Sequence, residues 1–354
     1  MAPLPPFSDR LLRWFDAARR DLPWRRTRDP WAIWVSEVML QQTRVEAVRK
    51  SYEHFVASYP TAAAFARASD DELMLAWRGL GYYRRARLLR DGARAVVANH
   101  GGRVPRDADA IGELPGVGAY TRGAIASIAF DLPLPAIDGN VERVLARHLA
   151  LRQDVATAPM RRAIAAAASE RLDRARPGDF NQAMMELGAM VCTPTSPRCE
   201  QCPVAIDCQG HRAGIAMALP VRKPATPPLL VAACVAVVPA GSGVLALRVP
   251  ANEPNAGQWD LPGPGVLQSV DEADFTQLTA ARCGARIELG LRLVSVRHSI
   301  TNHRITVGAH AGTNTSRARG KLEVLRPEDP AVPWTTVARK VFAALRTATG
   351  TSDA

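Results

Sequence analysis

The chain has 354 residues, which is long enough for two domains that each bury a hydrophobic core. Its 47% hydrophobic and 22% charged residues are typical of a folded globular protein and exclude a disordered one. The net charge of +11 favours a polyanionic partner. The chain has only four lysines, and most of its basic residues are arginines. A GC-rich genome, which favours arginine codons, would explain the abundance of arginine equally well.

The N-terminal sequence contains no basic stretch followed by an apolar run, so we expect no signal peptide. No uninterrupted apolar segment approaches the ~20 residues that a membrane-spanning helix needs. We therefore expect no membrane association and a cytoplasmic location. Thiols stay reduced there, and clustered cysteines are more often metal ligands than disulfides.

Residues 8 to about 215 have the pattern of a helical domain. Apolar residues recur at helical spacing in 9–16 and 31–40. Turns are predicted at 114–118 and 133–135, where proline and glycine interrupt the pattern. Further helices are predicted near 45–58, 70–78, 83–99, 107–112, 119–130, 139–150, 159–172 and 179–191.

The composition changes after this helical region. Residues 216–228 contain four prolines, which favour an extended, semi-rigid linker. Beyond them, β-branched and alternating runs predict strands at 229–238, 244–249, 291–298 and 305–309, followed by a helix at 334–347. The predicted fold class is therefore multi-domain, with an all-helical domain at 1–215, a linker at 216–228 and a smaller α+β domain at 229–354.

Four of the six cysteines form one compact loop at 192–208. They are separated by six, two and five residues: Cys192, Cys199, Cys202 and Cys208. Four thiolates that hold an iron–sulfur cluster must converge on one cube, which short loops permit. A structural zinc site also accepts four thiolates, but it usually has two Cys-x2–4-Cys knuckles. The unequal spacing therefore favours a [4Fe–4S] cluster.

A glycine-containing turn precedes the helix predicted at 119–130. Its residues Leu114, Gly116, Val117 and Gly118 belong to the sequence Leu-Pro-Gly-Val-Gly. Two glycines allow close approach of the backbone to a ligand, and the free N–H groups at a helix start can bind phosphate. The turn resembles the hairpin of helix–hairpin–helix DNA-binding proteins, and we expect these four residues to contact a DNA backbone.

Two carboxylates lie in contrasting sequence contexts. Glu37 lies on a largely apolar helix, where partial desolvation should raise its pKa and keep a proton available. Asp138 precedes Gly139 and Asn140 at a predicted helix start, where N–H dipoles favour an ionised carboxylate. Taken singly, these residues would be a surface glutamate and an ordinary N-cap. Such a pair can also supply the proton and the negative charge that break an N-glycosidic bond.

Several motifs together resemble the MutY-type adenine DNA glycosylases of the endonuclease III superfamily throughout the first ~215 residues. They are Leu-Pro-Trp-Arg at 22–25, Ser-Glu-Val-Met-Leu-Gln-Gln-Thr at 36–43, Gly-Leu-Gly-Tyr-Tyr at 79–83, the turn at 114–118, Asp-Gly-Asn-Val at 138–141 and Asn-Gln-Ala-Met-Met-Glu-Leu-Gly at 181–188. The glutamate in the second motif distinguishes this group from endonuclease III.

The resemblance implies roles for individual residues. Glu37 would protonate adenine and later activate water, and Asp138 would stabilise or transiently bond to the sugar. Asn140 and Tyr120 would orient Asp138 and the sugar. The pocket for the flipped adenine would be lined by Trp24, Arg25 and Gln182. Gln42 and Tyr82 would wedge into the base stack beside the 8-oxoguanine.

Position 120 also bears on the type of reaction. Bifunctional members of the superfamily have a lysine two residues after the second glycine of the turn, and its amine forms a Schiff base with the sugar. This chain has Tyr120 there and no other lysine nearby. We therefore expect a monofunctional enzyme that does not cleave the DNA strand.

The C-terminal residues resemble the MutT-like (Nudix-type) domain of the same family. Gly-Gln-Trp-Asp-Leu-Pro at 257–262 matches its Trp-x-x-Pro segment. No Arg-Glu-x-x-Glu-Glu pattern follows, so pyrophosphatase activity is not expected. Where the family carries Phe-Ser-His, this chain aligns Ile300, Thr301 and Asn302, with His303 as the alternative to the family's histidine. We expect this segment to contact 8-oxoguanine, with altered discrimination from guanine.

The sequence therefore predicts a base excision repair enzyme that removes adenine opposite 8-oxoguanine, and more slowly opposite guanine, from double-stranded DNA. We expect a monomer associated with the nucleoid. Two alternatives remain: another glycosylase of the superfamily, such as a thymine-mismatch or a bifunctional pyrimidine glycosylase, and a catalytically inactive mismatch-binding protein.

Overall fold

The computed structural model describes residues 4–224 and 226–348. Residues 1–3 and 349–354, at the ends of the two predicted domains, and residue 225, in the predicted linker, lie outside the described residues. The described chain forms two compact units, residues 4–68 with 79–224 and residues 69–78 with 226–348.

The chain before residue 225 is helical, as its apolar periodicity predicts. All of the following helices belong to the first unit except α5, which groups with the second. The helices are Phe7–Ala18 (α1), Pro30–Leu40 (α2), Val45–Ser58 (α3), Ala62–Ala66 (α4), Asp70–Ala76 (α5), Arg84–Asn99 (α6), Ala108–Gly112 (α7), Ala119–Phe130 (α8), Gly139–His148 (α9), Ala158–Arg171 (α10), Pro177–Met190 (α11) and Gln209–Arg212 (α12). The short helices α4 and α12 were not predicted, because five or four residues carry too little periodic pattern.

Helix α2 is buried on every side, and its start is well defined by the sequence. Pro30 occupies the first turn, and the side chain of Asp29 accepts hydrogen bonds from the backbone N–H groups of Trp31 and Ala32. Burial extends from Trp31 to Met39. An ionisable side chain on this helix is therefore enclosed by protein whichever way it points.

Helix α11 packs closely against the start of α9. A Cβ atom added at Gly188 would lie 2.5 Å from Cβ of Asn140, which is closer than real atoms approach. A side chain at position 188 would therefore displace the loop that carries Asp138. The core beneath this contact is built by large side chains of α1, α9 and α11: Leu11, Phe15, Leu145, Phe180 and Leu187.

The second unit contains two small sheets. Its elements beyond the linker are the strands Leu229–Val237 (β1), Pro239–Ala240 (β2), Gly243–Arg248 (β3), Trp259–Asp260 (β4), Ile287–Ile300 (β5), His303–Asn314 (β6) and Leu322–Leu325 (β7), with the helices Glu272–Cys283 (α13) and Thr336–Ala348 (α14). One sheet has the order β1-β6-β5, with β1 parallel to β6 and β5 antiparallel to it. In the other, β3 pairs with β2, β4 and β7.

The strands β5 and β6 are longer than their predicted segments. Their hairpin ladder continues to the pair Ile300 and His303, through exposed and polar positions that show no clear alternation. The unit's core includes Trp259, Val307, Trp334 and Val341. The structure thus contains a helical region followed by an α+β region. None of the described helices combines the length and the apolar character needed to cross a membrane.

Candidate active site

A cavity of about 810 Å³ lies in the first unit, beside the end of α2, the turn before α8, the start of α9 and one face of α11. Most of the predicted catalytic and base-binding residues line it. They are Trp24, Arg25, Glu37, Gln42, Tyr120, Asp138, Asn140 and Gln182, together with Gly116 and Gly118 of the turn. Side chains far apart in sequence are thus brought to one concave surface.

Glu37 is the buried carboxyl of this cavity, with 5% of its surface exposed. Burial raises its pKa from 4.5 to about 7, and the nearby charge of Asp138 also raises it. A hydrogen bond from the Tyr120 hydroxyl and the charge of Arg25 act in the opposite direction. The carboxyl is therefore partly protonated at neutral pH and can serve as an acid.

The Tyr120 hydroxyl donates to Oε2 of Glu37 and lies 3.3 Å from the sulfur of Met185. The interpretation that Tyr120 orients Asp138 is thus not supported, because its hydroxyl is directed at the other carboxyl. Tyr120 lies in the first turn of α8, and α8 packs against α2. The tyrosine can therefore fix the orientation of the Glu37 carboxyl.

Asp138 is the N-cap of α9, and its carboxylate is held by three hydrogen bonds. Oδ1 accepts from the backbone N–H groups of Asn140 (2.9 Å) and Val141 (2.8 Å), and Oδ2 accepts from Nδ2 of Asn140 (2.8 Å). The Asn140 amide is itself fixed, since its Oδ1 accepts from Arg143 at 2.8 Å. Asn140 therefore holds Asp138, as the resemblance implies, and N–H dipoles favour the negative charge.

A buried ion-pair cluster forms one wall of the cavity, and the sequence analysis did not identify it. Glu186, 1% exposed, accepts hydrogen bonds from Arg20 at 2.8 and 2.6 Å and from Arg25 at 2.9 Å. Burial alone would raise the pKa of Glu186, but these hydrogen bonds outweigh it and lower the pKa to about 2. Glu186 therefore stays ionised and holds the guanidinium of Arg25 at the cavity wall.

The position of Glu186 could have been inferred from its spacing. It lies four residues after Gln182 on α11, so the two side chains lie on the same face of that helix. A single glutamate in a helix is usually exposed, so this spacing alone does not predict a buried ion pair.

The turn before α8 presents its backbone rather than its side chains. Gly116 has a φ of 79°, and a Cβ atom there would lie 2.8 Å from Cβ of Leu88, so only glycine fits. Gly118 is the N-cap residue of α8 and is exposed. Leu114 is 4% exposed and belongs to the core, while Val117 is half-buried. Of the four predicted contact residues, only the two glycines line the cavity.

The two predicted wedge residues are exposed and have left-handed backbone conformations. Gln42 has a φ of 57°, and Tyr82 has a φ of 48° with 48% of its surface exposed. Gln42 lines the cavity, whereas Tyr82 is outside its lining. A positive φ is uncommon for a residue other than glycine, and such conformations concentrate at functional sites.

The four loop cysteines line a second, smaller cavity of about 30 Å³. Arg147 also lines it and donates to Sγ of Cys192 (3.3 Å) and to the carbonyls of Thr193 (2.7 Å) and Pro194 (2.9 Å). Within the described ranges, no group of three or more His, Cys, Asp or Glu side chains has the geometry for a bound metal ion. A set of four thiols around one cavity nevertheless fits the donors of an iron–sulfur cluster.

Comparison with known proteins identifies related sequences. Residues 35–170 match the model of the HhH-GPD superfamily base excision DNA repair proteins. The chain is 44% identical over 205 residues to an adenine DNA glycosylase of Mycolicibacterium smegmatis, covering 58% of this chain and 69% of the relative.

The chain belongs to the adenine DNA glycosylase family.

Mammalian members of the adenine DNA glycosylase family are also similar to it. The chain is 48% identical over 221 residues to the adenine DNA glycosylases of Rattus norvegicus and Homo sapiens, covering 60% of this chain. It spans only about two fifths of their length, 43% and 40%.

Two solved structures share the helical fold. A thermostable thymine-DNA glycosylase has 31% identity and a TM-score of 0.54, covering 58% of this chain and 95% of its own. A trapped endonuclease III–DNA covalent intermediate has 25% identity and a TM-score of 0.51, covering 59% and 95%. The first unit therefore has the helical glycosylase fold, and the α+β region is additional to it.

The residues aligned with the family's Phe-Ser-His lie at the tip of the β5–β6 hairpin, in the second unit. Ile300 is partly buried and packs against that unit's core. The Asn302 side chain donates to the carbonyl of Pro227 at 3.0 Å, which engages its amide. Thr301, with a φ of 47°, is exposed, and His303 is half-buried.

Proposed function

We propose that this chain is a monofunctional adenine DNA glycosylase that flips adenine out of double-stranded DNA and hydrolyses its bond to the sugar. The observation that carries the proposal is the pair of carboxyls at one cavity. Glu37 is buried and has a pKa of about 7, while Asp138 is held at a helix start by three hydrogen bonds. One can therefore donate a proton while the other remains negative.

The reaction follows from these two states. The Glu37 proton passes to the N7 atom of adenine as the bond between N9 and the sugar C1′ breaks, and the electron pair leaves with the base. Negative charge on Asp138 stabilises the positive charge that develops at C1′. Water then adds to C1′ and returns a proton to Glu37. The products are free adenine and an abasic sugar in an uncut strand.

Base selection is assigned to the wall of the same cavity. Gln182 carries both a donor and an acceptor, which can pair with the edge of an adenine. Arg25, held by Glu186, adds donors at a fixed position. Trp24 is 6% exposed and lies edge-on to Tyr52, so its ring provides a rigid apolar surface beside the base.

The absence of a suitable amine supports a monofunctional reaction. Tyr120 occupies the position of the lysine in bifunctional relatives, and its hydroxyl is engaged with Glu37. None of the lysines among the described residues, which are Lys50, Lys223, Lys321 and Lys340, lines the cavity. None of these lysine amines is therefore placed at the cavity to form a Schiff base with the sugar.

We assign a [4Fe–4S] cluster to Cys192, Cys199, Cys202 and Cys208. When bound, it would cross-link the loop through four thiolates. Purified protein should contain about four iron and four sulfide ions per chain. Cys202→Ser should lose most of both, while Cys234→Ser, on β1 outside the loop, should retain them. Stoichiometric zinc in the purified protein would reject the assignment.

We assign recognition of 8-oxoguanine to the Nudix-like α+β domain, 229–354, joined by the linker 216–228 to the catalytic domain, 1–215. Of the four aligned residues, Thr301 and Asn302 are exposed, although Asn302 donates one amide N–H to Pro227, and His303 is half-buried. The protein would act as a monomer on DNA with adenine opposite 8-oxoguanine or guanine, in the cytoplasm at the nucleoid.

The function is tested by single-turnover assays on duplexes with adenine opposite 8-oxoguanine, guanine or thymine, with and without alkali. We expect release of adenine fastest opposite 8-oxoguanine, and strand breaks only after alkali. Equal rates opposite 8-oxoguanine and guanine would contradict the assignment of 8-oxoguanine recognition to the α+β domain. Breaks without alkali would contradict the monofunctional reaction, and mismatch binding without base release would favour a non-catalytic protein.

A further inference from the structure

The segments that carry Gln42 and Tyr82 both lie beside the end of α2. The first segment follows Leu40, where the last backbone carbonyls of α2 have no partner within the helix. The second is the glycine-containing loop 79–82 that leads into α6. Each segment combines an exposed polar or aromatic tip with a left-handed backbone conformation. Such conformations persist only when the surrounding structure over-determines them.

The guanidinium of Arg85 reaches both segments from the first turn of α6. Nη1 donates to carbonyls at the end of α2 and just beyond it: Val38 (2.6 Å), Met39 (3.1 Å) and Gln41. Nη2 donates to Thr43 Oγ1 (2.9 Å) and to carbonyls of the loop before α6: Leu80 (3.2 Å) and Gly81 (3.3 Å). One side chain therefore bonds on both sides of Gln42 and immediately before Tyr82.

Two further contacts strengthen this link. The Thr43 hydroxyl lies 3.3 Å from the Leu80 carbonyl and 3.3 Å from the Gln41 carbonyl, and its one hydrogen can join the two segments directly through the first of these. The Arg85 guanidinium lies 5.6 Å from the centre of the Tyr82 ring, within the range of a cation–π contact. Its positive charge also complements the negative end of the α2 dipole.

We infer that Arg85 is a positioning residue that holds the Gln42 and Tyr82 segments as one rigid unit, so that both side chains enter the base stack together. The inference deepens the proposed function and rests on it for the role of the two tips in DNA. Arg85 also bonds to the carbonyl of Val38, the residue next to Glu37 on α2. It therefore links the Gln42 and Tyr82 segments to the helix that carries the proposed acid.

Lysine cannot replace arginine in this arrangement. The guanidinium is a planar fork whose N–H groups point in fixed, divergent directions, whereas an ammonium is a single point on a flexible stem. Arg85→Lys retains the charge and most of the stem, yet it can serve only one of the two segments at a time. It should therefore separate the segments without removing the cation.

The first test needs no DNA. Hydrogen exchange is measured by mass spectrometry in the intact protein and in Arg85→Lys, following peptides that span 38–44 and 79–86. We expect at least tenfold faster exchange in both peptides and unchanged exchange in α9 and α11. Arg84→Lys, on the exposed preceding residue of the same helix, is the matched control and should leave both peptides unchanged. Faster exchange in neither or only one peptide would overturn the inference.

The second test uses DNA with 2-aminopurine beside the mismatch, whose fluorescence reports unstacking. Arg85→Lys should lower the unstacking rate and the single-turnover excision rate at least tenfold, while the affinity for undamaged duplex changes less than twofold. In the parent, the effects of Gln42→Ala and Tyr82→Ala on the logarithm of the excision rate should not be additive, because the two segments act together. In an Arg85→Lys background, the two effects should become additive.

The two hypotheses fail in different ways. A parent protein that releases no adenine would reject the proposed function, and the exchange result would still decide whether Arg85 joins the segments. A parent that excises adenine, with Arg85→Lys equally fast, would reject the inference alone.

Discussion

Replacing Glu37 by glutamine will lower single-turnover adenine excision by roughly 10²–10⁴-fold, the usual contribution of a general acid. The amide can still accept the hydrogen bond that Tyr120 donates, so the shape of the cavity is retained. It cannot deliver a proton to the base. Binding to mismatched duplex should therefore change little, which a fluorescence titration can check. Excision within a few-fold of the parent would remove Glu37 from its assigned role.

The pH dependence of excision by the parent protein should also report the proton of Glu37. In the proposed reaction, excision needs the protonated carboxyl, and burial raises the pKa of Glu37 to about 7. The rate should therefore be highest at lower pH and fall as pH rises through about 7, in the range where the protein stays folded. This decline is expected to be absent from the residual activity of Glu37→Gln.

The same substitution should make the protein more stable at high pH. The Glu37 pKa is 4.5 when unfolded and about 7 when folded, so the native state binds its proton more tightly. The parent loses stability as pH rises from 4.5 to about 7, by about 3 kcal/mol in total. Glu37→Gln avoids that loss, which denaturant unfolding at pH 8 will reveal.

Asp260→Asn is a matched control for this pair of effects. Asp260 is also a buried carboxyl, and burial raises its pKa from 3.8 to about 6. Its removal should stabilise the protein at pH 8 in a similar way and leave excision opposite guanine unchanged. If excision fell equally in both variants, the loss in Glu37→Gln could not be attributed to its proton.

Replacing Asp138 by asparagine should reduce excision by about 10²–10³-fold, because the charge that stabilises the transition state is lost. Asparagine can still accept the N–H groups at the start of α9, so the cost to folding should be about 1 kcal/mol or less. Its amide would face Nδ2 of Asn140, whose orientation Arg143 fixes. Two donors would then oppose each other. Single-turnover rates and thermal melts measure the two effects.

Asp107→Asn separates the capping role from the chemistry. Asp107 caps α7 through the same carboxylate bonds to backbone N–H groups, at 3.1 and 2.9 Å, but it does not line the cavity. The two variants should have similar melting temperatures and very different excision rates. A similar loss of activity in Asp107→Asn would mean that loosening a helix start is sufficient to slow the reaction.

The parts of the site that sequence could predict depend on local patterns. The predicted helices 45–58 and 119–130 coincide with α3 and α8, because long amphipathic or apolar runs are the clearest signal available. The spacing of the cysteines and the turn at 114–118 are likewise contiguous motifs. Family membership followed from these motifs and is confirmed by the comparisons.

The parts that sequence could not predict depend on contacts between distant segments. Glu186 meets Arg20 across 166 positions, and Arg85 meets Val38 across 47. Neither arginine differs by pattern from its many neighbours in an arginine-rich chain. The parallel pairing of β1 with β6 is equally remote in sequence. Such contacts appear only when the chain is folded.

The burial of α2 has a consequence for how enzymes of this fold can diverge. The proposed proton donor, Glu37, lies on a helix buried along most of its length, while Gln182, which we propose to meet the base, belongs to α11. Exchanging wall residues can therefore alter which nucleobase is admitted without dismantling the acid. On the proposed function, a substitution at Gln182 would change which nucleobase fits while Glu37 keeps its buried surroundings, whereas a substitution at Arg25 would also change a charge that acts on the pKa of Glu37.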